Sequence, residues 1–181
     1  MTAIHPDPYQ RGIMFSVMPI PPVAEHCVAV EGGPVTFVVE SRLLTKELQA
    51  AHLAESGFDP GESNLDDFGA TVHVHDAADD VEYLRFDCFN SEPHYHYINL
   101  AKSENLVCRI DEVAEGDPTE WTLSRLAVRL PEMLELAGAQ QAARAVRSQP
   151  GRVESALERV ADLLRRAQID ALALRSAEPV L

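Results

Sequence analysis

The chain has 181 residues, 46% of them hydrophobic and 24% charged, with a formal net charge of −14. That is the length of one domain and the composition of a globular protein. No apolar run approaches the roughly 18 residues a membrane helix needs, and so acidic a chain repels phosphate backbones and anionic lipid, so neither nucleic acid nor membrane is an expected partner. The acidity is concentrated: residues 1–118 carry 6 basic and 21 acidic side chains, residues 119–181 carry 9 and 8. Met1 to Gln10 holds two prolines, a histidine and an aspartate where a signal peptide needs a basic start and an apolar centre, so a cytoplasmic location is expected. Cys27, Cys88 and Cys108 are too widely spaced for a zinc knuckle and read as buried thiols.

Residues 1–22 contain Pro6, Pro8, Pro19, Pro21 and Pro22 and read as an extended surface arm. Within it, Met14 to Ile20 is apolar enough to add an edge strand. Two β-rich runs, 24–31 and 34–40, flank Gly32-Gly33, a hairpin signal. Leu43, Leu44, Leu48 and Leu53 suit a helix over 42–55, ended by Gly57. Residues 57–69, with Pro60, Glu62, Asp66 and Asp67, read as a loop. Four strands then follow closely, 71–76, 81–89, 94–100 and 106–112. Connections this short allow only antiparallel neighbours, because a parallel crossover needs a dozen or more residues. A meander of about six strands over 24–112 is expected.

After residue 117 the period changes to that of helices. Asp117-Pro118-Thr119-Glu120 combines an N-cap, a first-turn proline and an acid three residues on. Pro131 and Pro150-Gly151 break the helical pattern, and Val153, Ala156, Leu157, Val160, Leu163 and Leu164 form one apolar stripe. The expectation is a single α+β domain over 1–181, with two or three helices in 117–175 packed on the sheet. The same helices are the surface through which a homodimer or a protein partner would dock, if the chain is a non-enzymatic accessory module.

The chemistry-bearing segment is rich in histidine. His73 and His75 form one His-x-His pair, His94 and His96 a second. On a strand, residues i and i+2 share a face, about 6.5–7 Å apart, so each pair can turn two imidazoles toward one ion. Between the pairs, Glu82 and Asp87 are candidate general bases, differing in strand parity, and imidazole with carboxylate suits zinc, iron, nickel or copper. Two registers are open. In one, His75 opposes Glu82, His73 opposes Leu84, Cys88 opposes His94 and Phe86 opposes His96; all four histidines then share a sheltered face with Leu84, Phe86 and Ile98. In the other, Val72 and Val74 pair with Phe86 and Leu84, His73 faces Arg85, and the two pairs are split across the sheet. A polar surface of histidine, tyrosine, arginine and aspartate is the non-functional alternative. No nucleophile elbow, Walker loop or dinucleotide fingerprint is present.

The strings His73-Val-His75-Asp76, Glu82-Tyr-Leu-Arg-Phe-Asp-Cys-Phe89 and Pro93-His-Tyr-His-Tyr-Ile98 resemble the signature of a functionally uncharacterised family of small bacterial proteins. The resemblance covers about residues 68–100 and implies a bacterial origin without an activity to transfer. The functional expectation is therefore a metal- or small-molecule-binding protein using His73, His75, His94 and His96, its ligand and reaction unspecified.

Overall fold

The computed structural model describes residues 12–59 and 65–177. Seven strands run in chain order as β1 Gly12–Phe15, β2 Cys27–Glu31, β3 Val35–Leu44, β4 Asp67–Asp76, β5 Glu82–Phe89, β6 His94–Asn99 and β7 Glu104–Arg109. They form one antiparallel sheet in the order β1-β7-β6-β5-β4-β3-β2. The meander expected from the short connections is there. The seventh strand comes from the arm: Gly12–Phe15 pairs with Asn105–Cys108 at the sheet edge. Pro6 and Pro8 of the arm, and Pro60 and Glu62 of the loop, lie outside the described residues.

Several boundaries move: the arm strand is Gly12–Phe15 rather than the expected 14–20, the last strand is Glu104–Arg109 rather than the expected 106–112, and others shift for local reasons. Residues Ala24–His26 make a 3-10 turn, closed by the His26 amide on the Val23 carbonyl at 2.9 Å, so β2 starts at Cys27. The third strand runs on to Leu44 because Arg42 and Leu44 stay in register with Gly69 and Asp67. The helix expected from residue 42 therefore begins later, as α1 Lys46–Glu55, with the Thr45 side chain capping the Leu48 amide. Asp67, read as loop, opens β4.

The helical part divides further than expected: α2 Glu112–Glu115, α3 Pro118–Val128, α4 Leu130–Ala137, α5 Gln140–Ser148 and α6 Pro150–Ala177. Asp117 caps α3 through the Glu120 amide, with Pro118 in its first turn. Gly138, at φ 97°, ends α4 in a conformation that disfavours side chains with a Cβ. The stripe of α6 packs on β3 and β4, burying Val153, Ala156, Val160, Leu163 and Leu164.

The core lies between these helices and one face of the sheet. Val35, Phe37 and Val39, then Val72 and Val74, then Leu84 and Phe86 alternate toward it. Tyr95 stacks on Phe86 and touches Trp121 of α3. Alternation sends Glu40, Arg42, His73, Arg85, Asp87 and His96 to the opposite face, yet all six are buried.

Helix α4 provides a test of this layering. Leu134 is 0% exposed in the core, while Leu136 is 65% exposed. Leu134→Ala is expected to cost about 2–5 kcal/mol in urea unfolding, and Leu136→Ala to stay within about 0.5 kcal/mol of the parent.

Candidate metal centre

The register decides which side chains meet. Val72 pairs with Phe86, His73 with Arg85 and Val74 with Leu84, the second of the two registers open for that hairpin. In the next hairpin Asp87 pairs with His94 and Arg85 with His96. The pairings of His73 with Leu84, Cys88 with His94 and Phe86 with His96 are therefore not formed. Both hairpins take the parity opposite to the all-histidine register, so the two shifts cancel. The four histidines still share a face, now with Arg85, Asp87 and Ile98, while Leu84, Phe86 and Cys88 turn to the core. The driving force is burial: this register puts Val72, Val74, Leu84 and Phe86 together under the helices.

A bulge corrects the expectation that Glu82 and Asp87 point to opposite sides. His75 pairs with Glu82 although Val74 pairs with Leu84, so Tyr83 is an extra residue in β5. Parity flips there. Glu82 joins the histidine face and holds Arg85 by two bonds of 2.8 Å, to Nε and Nη2.

The histidines form two groups. His73 is fully buried, with Nδ1 at 2.7 Å from Glu82 Oε1 and Nε2 at 3.0 Å from Glu40 Oε2. Both its nitrogens are committed to carboxylates. His75 lies near the strand end, its Nδ1 donating to Asp80 at 3.0 Å. Arg85 stands in the ladder between His73 and His96, about 9–10 Å apart by strand spacing.

The second group is Asp87, His94 and His96, whose potential ligand atoms lie within 4.8 Å of one another. Asp87 Oδ2 is 3.0 Å from His96 Nε2 and 3.4 Å from His94 Nε2. The other nitrogens are anchored. His94 Nδ1 donates to the Glu92 carbonyl at 2.7 Å, and His96 Nδ1 to Asn105 Oδ1 at 2.8 Å. The amide of Asn105 is oriented by its Nδ2, which donates to the Val17 carbonyl at 3.0 Å. With Nδ1 anchored in each ring, Nε2 is the atom turned toward Asp87, and His96 Nε2 donates to Asp87 Oδ2, a hydrogen bond that a metal ion would replace. Thr71 donates to the remaining Asp87 oxygen at 2.6 Å.

Electrostatics suit such a group. Burial by itself would raise the Asp87 carboxyl, but the His96 hydrogen bond and the charges of His94, His96 and Arg42 outweigh it and hold Asp87 well below the usual carboxylate range. Burial pushes His94 down despite Asp87, favouring the neutral imidazole a metal requires. The loop before His94 is held by buried Asp67, which accepts from the Phe68, Ser91 and Glu92 amides at 2.9–3.2 Å.

Residues 17–23 lie over this face and are fixed by main-chain bonds. The Ile20 carbonyl accepts from both Arg42 and Arg85, the Val23 amide donates to Glu40, and the Met18 carbonyl meets His52 Nε2 at 2.8 Å. Under the arm and α1 is a cavity of about 490 Å³, lined by Ile13, Phe15, Val17, Met18 and Ile20 above and by Asp87, His94 and His96 below. Sequence reasoning missed Thr71, Asn105, Glu40 and Arg42 here. The signal for the last two was present: charges at alternate positions ending the apolar run of β3.

The ionic contacts give a pH prediction. Burial would raise Glu82, but Arg85 and His73 outweigh it and hold its pKa far below the ordinary 4.5. A depressed folded-state pKa stabilises the fold fully above about pH 4.5, and the contribution is lost as pH falls toward the folded-state value. Glu82→Gln is expected to cost about 3–5 kcal/mol at pH 7, because Arg85 loses its buried partner. Urea titrations at pH 7 and pH 3.5 check the second consequence: the variant loses less stability on acidification than the parent.

Neither a curated protein nor a solved structure matches the chain. Residues 29–164, which include all of β3–β7 and the Asp87–His94–His96 group, match the model of a domain of unknown function, DUF7700. On that match, across most of its length, the chain belongs to this uncharacterised family.

Proposed function

We propose that Asp87, His94 and His96 hold one divalent transition-metal ion at the floor of the arm-covered cavity, and that the protein binds a small molecule above it. The observation that carries this reading is the pair of Nδ1 anchors. A metal-binding histidine almost always donates its other nitrogen to a carbonyl or carboxylate, which fixes the tautomer and aims the free lone pair. His94 and His96 both have that arrangement, through Glu92 and Asn105. His73 has both nitrogens tied to carboxylates of the Arg42–Arg85 ion-pair network, whereas the carboxylate that His96 meets is Asp87, itself a ligand of the proposed site.

Two imidazoles and one carboxylate without a thiolate suit zinc or iron(II), and leave further coordination positions for a ligand. Cys88 lies on the core face, bonded to Pro118 and Thr122, and burial pushes its thiol up to about 12. A metal here would act as a Lewis acid toward a bound oxygen. The chain's own residues supply the rest. Thr71 and Asn105 orient the ligands, and the arm with α1 keeps bulk water from the floor. The volume of about 490 Å³ falls within the usual range for small-molecule sites.

The test is metal content. Protein stripped with chelator and dialysed against zinc or iron(II) is expected to retain about one ion per chain by elemental analysis. His94→Ala and His96→Ala lose it, and His75→Ala keeps it. Loss in His75→Ala equal to that in His94→Ala would instead support a four-histidine site. Asn105→Ala is expected to weaken zinc binding about 10–100-fold, read by competition with a chelating dye, by releasing the His96 ring.

A further inference from the structure

The cavity above Asp87, His94 and His96 is apolar on one side and charged on the other, where three arginines stand with Asp87 and Glu92. The arm supplies Phe15, Val17, Met18 and Ile20, while Arg42, Arg85 and Arg109 reach it from the sheet. The three guanidiniums are not equivalent. Arg85 is bonded through Nε and both terminal nitrogens to Glu82 and the Ile20 carbonyl. Arg42, 3% exposed, uses its terminal nitrogens on Glu40 and the same carbonyl, but its Nε is buried without a partner. Arg109 sits directly across the β6–β7 ladder from His94, and its guanidinium makes no hydrogen bond or ion pair among the described residues. Glu40 and Glu82 already balance Arg42 and Arg85, so of the three Arg109, exposed and beside the histidines, is the one with no ion pair among the described residues, although Asp87 and Glu92 line the same cavity.

We propose that the cavity binds a monocarboxylic acid with an apolar body, its carboxylate held by Arg109 beside the Asp87–His94–His96 floor and its chain lying under the arm. The proposal deepens the metal-centre reading and rests on it for the ligand's position. A planar guanidinium with all its donors free matches a carboxylate in two parallel bonds. Along the arm Phe15, Val17, Met18 and Ile20 offer only apolar side chains, which suits a hydrocarbon body lying against them; Gln49 of α1 is a polar group elsewhere in the lining. Arg109 offers one planar fork, which the two oxygens of a carboxylate fill, whereas a phosphate ester would turn a further charged oxygen toward Asp87 and Glu92 in the same lining.

The experiment is calorimetric titration of octanoate, octan-1-ol and octyl phosphate into zinc-loaded and into chelator-stripped protein, with zinc content measured on each sample. Octanoate is expected to bind roughly tenfold or more tighter than octan-1-ol, the size of effect a charge-assisted bond gives. In Arg109→Gln that preference falls to about one, with octan-1-ol affinity unchanged. Arg109→Lys, keeping the charge without the fork, retains part of it. Equal affinity for octanoate and octan-1-ol, a tenfold preference for octyl phosphate, or no binding of any of the three overturns the proposal, even if zinc is bound. Octanoate preference that depends on Arg109 in protein that takes up no zinc supports the ligand class while the metal reading fails.

Discussion

A closed ring of charge-assisted hydrogen bonds underlies the polar side of this sheet. Glu40 binds Arg42, Arg42 and Arg85 share the Ile20 carbonyl, Arg85 binds Glu82, and His73 joins Glu82 back to Glu40. Each member is buried or nearly so, and an unpaired charge at such a depth costs several kcal/mol. Near-complete pairing makes the arrangement tenable: every carboxylate faces a cation, the arm contributes a main-chain carbonyl as acceptor, and Arg42 Nε is the donor left without a partner. The arm is therefore part of the fold, and any movement of residues 17–23 breaks bonds in the ring.

This constraint explains how a sheet buries both faces with most of its helices on only one. The helix side is closed by ordinary apolar packing of β3–β6 against α3, α4 and α6. The other side is closed by a short irregular segment and α1, too little apolar surface to cover a hydrophobic face. A polar face satisfied by its own partners needs less covering, and the cover it has leaves a cavity where Asp87, His94 and His96 meet the apolar arm.

The broad architecture was legible because it depends on short-range rules. Tight connections forced an antiparallel meander, Asp117-Pro118 set the start of α3, and spacing exposed the stripe of α6. The histidine geometry was not, because it depends on register, which a single residue reverses. Pairing Val72 with Phe86 was weighed on its apolar match, but the second hairpin shifts with the first, so the histidines stay together. The bulge at Tyr83 has no local signature such as glycine, and it alone brings Glu82 to Arg85. Asp67, read as one acid in an acidic loop, accepts three amides from two segments, a role visible only once β4 and the turn before β6 are adjacent.

The histidines thus divide by what their nitrogens meet, with His75 apart at the strand end, its Nδ1 on Asp80 and its buried Nε2 without a partner among the described residues. His73 has acidic acceptors on both sides, so it links two carboxylates and its place in the ring is structural. His94 and His96 each have one neutral acceptor, a carbonyl oxygen from the main chain or from an amide, and on the other side a carboxylate they share. The neutral acceptor fixes each ring, and the nitrogen facing Asp87 is the one a metal held by that carboxylate would take, in place of the His96–Asp87 hydrogen bond. The same distinction separates the arginines: Arg85 is saturated by the ring, and Arg109 lies outside it. Arg42 and Arg85 reach the cavity with most of their donors already used by the ring, whereas His94, His96 and Arg109 reach it without belonging to the ring.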